Sequence, residues 1–82
     1  MLKLGNYETK GKKGQVSSKI LSRIKRLIAD LRSYDGIVRR EARQTLVFIG
    51  KWAVDSLIPL LKDSDDEVLW EAAKVLAEIA DP

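Results

Sequence analysis

The sequence predicts an all-α domain of about four helices, built from a packing unit that recurs every 30 residues. Three observations carry that prediction. Apolar residues recur at helical spacing from Ser17 onward. Turn-forming residues interrupt them at Ser33-Tyr34-Asp35-Gly36, at Gly50 and at Asp63-Ser64-Asp65-Asp66. Residues 24–50 laid over 54–80 give nine identities in 27 pairs, where ordinary residue frequencies give about two.

Each element follows from local pattern. Ile20, Leu21, Ile24, Leu27, Ile28 and Leu31 form one stripe of a first helix, Ser18–Arg32, with Ser17 or Ser18 as its N-cap. Asp35 caps a second helix, from about Ile37 to Ile49, whose inner face is Val38, Ala42, Thr45, Leu46 and Ile49. Gly50 ends it at a C-cap position. A third helix spans about Ala53–Lys62 with Val54, Leu57, Ile58 and Leu61 inward. Pro59 removes a backbone donor, so that helix must begin close before it or bend there. A fourth runs from about Glu67 to Ala80. The expected core is Leu27, Ile28, Leu31, Val38, Leu46, Ile49, Leu57, Ile58 and Leu61.

The nine identities fall mostly on these inward positions: Leu27/Leu57, Ile28/Ile58, Leu31/Leu61, Val38/Val68, Ala42/Ala72, Leu46/Leu76 and Ile49/Ile79. Asp35/Asp65 and Glu41/Glu71 complete the set. What repeats is therefore a unit of packing.

The residues Asp35-Gly36-Ile37-Val38-Arg39-Arg40-Glu41-Ala42, Leu46, Ile49-Gly50, Ala53-Val54, Leu57-Ile58, Leu60-Leu61-Lys62-Asp63 and Asp65-Asp66-Glu67-Val68 resemble the short HEAT-like repeats. Glu71-Ala72-Ala73, Leu76 and Ala77-Glu78-Ile79 continue the match, which covers roughly residues 24–82. Repeats of this kind also occur in phycobilisome lyase proteins. The resemblance implies antiparallel helix pairs stacked as a short right-handed α-solenoid. Under it the first helix is the second member of an opening unit, the middle two form a complete unit, and the last opens another. Arg commonly follows the Val of the family's first helix, as at Arg39 and Arg40, but Leu69 and Trp70 stand at the corresponding places. The chain is then a fragment of a longer repeat array or completes itself by assembly.

Composition narrows the chemistry. Eighty-two residues make one domain, with residues 1–16 read as a basic flexible tail and 17–82 as the HEAT-like helical repeat domain. There is no cysteine and no histidine, which removes disulfides, thiolate nucleophiles and imidazole bases. Gly5…Gly11-Lys12-Lys13 fails as a phosphate loop, since the glycines are misspaced and Lys13 stands where Ser or Thr belongs. Asp63, Asp65, Asp66 and Glu67 sit at a turn and a helix start, where acids cap, and lack the calcium-loop spacing. Some relatives are bilin lyases, but the repeat is a scaffold and that activity is not carried over. No catalysis, metal or cofactor is expected. The N-terminus lacks the apolar stretch of a signal peptide and no run approaches a membrane span, so the expected compartment is the cytoplasm.

Interaction is the expected function. Charge divides unevenly: residues 1–43 carry 12 Lys/Arg against 4 Asp/Glu, residues 44–82 carry 3 against 8. Lys19, Arg23, Lys25, Arg26, Arg39, Arg40 and Arg43 are candidate contacts for phosphate or an acidic partner. The last helix is apolar over most of its circumference, with Trp70 about 200° from Val68, behind the core face. Leu69, Trp70, Ala73 and Trp52 are therefore the candidate partner interface, although Trp52 also suits the corner between helices. The expected function is a protein–protein interaction module that binds another protein or a second copy of itself as a homo-oligomer. A nucleic-acid-binding module using the basic N-terminal half is the alternative. Deleting residues 1–16 is expected to leave the Tm of the isolated domain nearly unchanged. A large drop in a thermal melt would place Leu2, Leu4 and Tyr7 in the core.

Overall fold

The computed structural model describes residues 17–81; the expected tail, 1–16, lies outside them. The described chain is α1 (Ser18–Asp30), α2 (Gly36–Ile49), α3 (Lys51–Leu57), a 3-10 segment (Ile58–Lys62) and α4 (Asp66–Ala80). No strand occurs among the described residues. Helices one position apart in the chain touch, and so do those one unit apart: α1 meets α2 and α3, while α4 meets α2, α3 and the 3-10 segment. This is the stacked all-α repeat architecture the sequence predicts.

Helix starts are set by side chains that bond back to free backbone donors. Ser17 Oγ accepts from the Ile20 N–H at 3.2 Å. Asp35 accepts from the Ile37 N–H and Asp65 from the Glu67 N–H, both at 2.9 Å. The turn before each Asp cap is built alike from unlike residues. Ser33 Oγ accepts the Asp35 N–H at 3.0 Å, and Asp63, 30 places on, accepts the Asp65 N–H at 2.8 Å. The period is thus kept in hydrogen bonding where it is lost in residue identity.

Between α2 and α3 the chain turns on one residue. Gly50 has φ +70° and ψ −133°, backbone that an L side chain adopts only under strain. A Cβ there would meet only ordinary contacts, Val47 O at 3.7 Å being nearest, so the strain is in the backbone alone. Gly50→Ala is expected to lower stability by about 1–2 kcal/mol in urea unfolding; no change would mean the corner relaxes freely.

Ile24, Leu31, Leu46, Leu57, Val68 and Val75 are wholly buried, with Ala42, Ala53, Ala72 and Leu60 around them. Of the expected core, Leu31, Leu46 and Leu57 are therefore buried, and Leu27, Ile28, Val38 and Ile49 are half-buried. Ile58 and Leu61 are 50% and 39% exposed, against expectation. Pro59 accounts for part of this. Without its N–H the α-helical ladder stops at Leu57 and the chain tightens to three residues per turn. The tighter winding turns Leu60, not Leu61, toward the core. The third helix is therefore seven α-helical residues followed by a 3-10 segment, in place of one helix to Lys62.

Candidate interaction surface

Repeat-equivalent residues report which neighbours are present, most directly Leu46 and Leu76, which are both α-helical. Leu46 on α2 is wholly buried, whereas Leu76, its equivalent on α4, is half-buried. Leu31 is wholly buried and Leu61 is exposed; Ile28 is half-buried and Ile58 exposed. In each pair the later residue loses cover. Packing explains the direction: α2 has α4 beside it and α1 has α3 beside it, and no described helix stands in those places beyond α4 and the 3-10 segment. Ile58 and Leu61 on the 3-10 segment, and Leu69, Ala73 and Leu76 on α4, are thus apolar side chains with incomplete cover. Ile58 and Leu61 keep the residue types of the repeat's core but lack the neighbour that buries them.

On α4 the core face is Val68, Ala72 and Val75, all wholly buried. Leu69 and Ala73 are half-buried at the open edge, and Trp70 is 62% exposed behind it. Trp70 lines an open groove of about 370 Å³ together with Asp66, Glu67, Glu71 and Lys74. Trp52 lies apart from this edge, at the α2–α3 corner. It is 41% exposed, with Lys51 Nζ 5.2 Å from its ring centroid, a cation–π contact. The structure thus brings Leu69, Trp70 and Ala73 together on α4, with Trp52 on α3.

The cationic candidates divide. Lys19, Arg23, Lys25, Arg26 and Arg40 are exposed, and Arg23 and Arg26 share a groove with Ser22 and Leu27 on α1. Arg39 and Arg43 are instead engaged from α2 with Glu71 of α4. Arg43 Nη1 donates to Glu71 Oε1 at 2.7 Å and Arg39 Nε lies 3.5 Å from Oε2. Arg39 Nη1 also donates to the Ser33 carbonyl at 2.6 Å. Glu71 is only 6% exposed, the one buried charged residue among those described. This clamp joins adjacent units across the stack. In the sequence this clamp is marked only by the Glu41/Glu71 identity at a charged position, with Arg39 and Arg43 on either side of Glu41.

A second ion pair ties Arg32, just after α1, to Asp63, just after the 3-10 segment, at 2.6 Å. The Arg32 hydrogen bond, then the Asp65 N–H, hold the Asp63 carboxyl below its ordinary value. A depressed carboxylate adds stability above the ordinary carboxylate range, and loses it as pH falls through the lowered value. Asp63→Asn is expected to flatten the acid limb of a stability–pH curve, below about pH 4, and to weaken the neutral plateau slightly. An unchanged acid limb would show the pair to be solvent-screened to nothing.

Among the described residues, no group of three or more Asp, Glu, His or Cys is placed to hold a metal ion. None of their helices is long and apolar enough to cross a membrane. No curated protein and no solved structure matches the chain. A family model of HEAT repeats matches residues 24–82, the stretch that carries the period, the Asp caps and the Glu71 clamp. The chain belongs to the HEAT-repeat family.

Proposed function

We propose that this domain is a protein–protein interaction module with no catalysis of its own, working in the cytoplasm, and that it docks its partner on the edge formed by α4 and the 3-10 segment. HEAT repeats are in general protein-interaction scaffolds. The observation that carries the choice of edge is the loss of cover from Leu46 to Leu76, both on α-helices. An apolar edge of this kind, in place of a polar cap, is the mark of a surface that is covered in use. Leu69, Trp70 and Ala73 are its α4 contacts, and Trp52 is a contact of the neighbouring corner. The partner is another protein, a second copy of the chain or the next helix of a longer repeat array.

The nucleic-acid reading has less support. Arg39 and Arg43 serve Glu71 within the fold, which leaves Lys19, Arg23 and Arg26 on α1 and Arg40 on α2 for phosphate. The two readings separate by salt. A protein captured by the wild-type chain should stay bound in high salt and be lost by the Leu69→Arg, Trp70→Arg variant. Tight binding of a random-sequence duplex that falls steeply with salt, and is lost when Lys19, Arg23 and Arg26 become Ala, would replace this reading with the other.

A further inference from the structure

Tyr34 aside, the most exposed large apolar side chains among the described residues are Phe48 at 91%, Ile37 at 63% and Trp70 at 62%. The repeat shows that their exposure does not come from the ends of the stack. Ile37 and Phe48 on α2 have Glu67 and Glu78 as counterparts on α4. Helix α4 has α2 beside it as the preceding helix of its layer, and both glutamates are exposed nonetheless. Trp70 on α4 has Arg40 as its counterpart on α2, where α4 stands as the following helix, and Arg40 is exposed too. A further unit at either end therefore leaves these three places open. They belong to the outer face of the α2–α4 layer, and the repeat does not require them to be apolar, since it puts Glu, Glu and Arg there as well.

On that face the two helices differ. Ile37, Arg40 and Phe48 lie within about 80° of one another around α2, and Asp66, Trp70 and Ala77 within about 40° around α4. Helix α2 thus offers a guanidinium between two apolar side chains. Helix α4 offers Trp70 in its open groove with the Asp66 and Glu67 carboxylates, and with Lys74 one turn on. Glu71, in the same groove, is already taken by Arg39 and Arg43.

We infer that this outer face joins two copies of the chain about a two-fold axis running along the helices between α2 and α4. Rotation about that axis lays α2 of each copy on α4 of the other. Arg40 and Trp70 are repeat equivalents and stand at the same height in the layer, so each copy's Arg40 reaches the other's Trp70 and Glu67. A guanidinium on an indole beside a carboxylate is a favourable pairing, and the symmetry makes it twice. Phe48 meets Ala77, which is exposed on the back of α4. Lys74 comes opposite its own counterpart, the neutral Gln44. Long-range charge agrees with the same rotation. Residues 17–43 carry eight Lys/Arg against three Asp/Glu, and residues 44–81 three against eight, so the basic half of one copy covers the acidic half of the other. A face two helices wide and about 20 Å long is smaller than a standard interface, and the dimer is accordingly weak, with Kd on the order of 10–100 µM. This surface is additional to the α4 edge and does not depend on it.

The test is sedimentation equilibrium of the full chain from about 5 to 500 µM, with a thermal melt of each variant. The wild type should pass from monomer to dimer across that range. Phe48→Glu, which installs the residue the repeat carries at Glu78, should weaken the dimer by about tenfold or more without lowering the Tm. Arg40→Glu and Glu67→Lys should each do likewise, and mixing those two variants should restore a dimer, because each then supplies the charge the other lacks. Leu69→Gln, on the α4 edge, should leave the dimer in place, so the two surfaces fail separately. A wild-type monomer throughout the range, a dimer indifferent to Phe48→Glu, or no recovery from mixing two folded variants would overturn the inference. A dimer lost on Leu69→Gln would overturn it as well, and would assign self-association to the edge.

Discussion

Leu46→Ala is expected to cost about 2–5 kcal/mol, among the largest losses from truncating a side chain of the described core. Leu46 is wholly buried near the C-terminal end of α2, the helix with packed neighbours on both sides. Removing its isobutyl group withdraws transfer free energy and leaves a cavity that helices held on both sides cannot close. Leu76 supplies the internal control. It has the same residue type, the same place in the repeat and only partial burial, so Leu76→Ala should cost roughly 1 kcal/mol. Urea unfolding of the two variants gives the difference directly. Equal losses would mean that the edge beyond α4 is covered in solution.

Arg43→Ala is expected to cost about 2–3 kcal/mol. The loss comes less from the bond broken than from the carboxylate left behind. Glu71 would stay almost fully buried with only the longer Arg39 contact at 3.5 Å. Partial solvent access to both arginines holds the cost below that of a deeply buried pair. Replacing Arg43 and Glu71 together by Leu should recover most of the stability, since no charge is then stranded. A double variant as unstable as the single one would show that the guanidinium works mainly by packing.

The expected and observed structures agree where physical causes are local. The Asp35 and Asp65 caps, the Gly50 corner and the buried Leu31, Leu46 and Leu57 each follow from residues within one turn or from the 30-residue period. They diverge where a neighbour decides. Ile58 and Leu61 match Ile28 and Leu31 in type and place, yet lie exposed because nothing among the described helices covers them. Pro59 was legible as an interruption, but not as a 3-10 turn that exchanges Leu61 for Leu60. Glu71 was hidden by its own chemistry. A carboxylate on a charged arc reads as solvated until the fold brings Arg39 and Arg43 beside it. Leu69 and Ala73, half-buried, and Trp70, exposed, have the incomplete cover that the wide apolar circumference of their helix implies. Trp52 was ambiguous between corner and surface, and it is partly both.

The clamp and the Arg32–Asp63 pair span 28, 31 and 32 residues, about one repeat each. Contacts of that reach close loops of modest and nearly uniform length, so no pairing must wait for a distant part of the chain to arrive. Folding can then start at any packed pair of neighbours, such as α4 on the 3-10 segment or α1 on α2, and spread along the stack. If α4 is the face that meets a partner, as proposed above, capture there should slow unfolding of the whole stack rather than speed its formation.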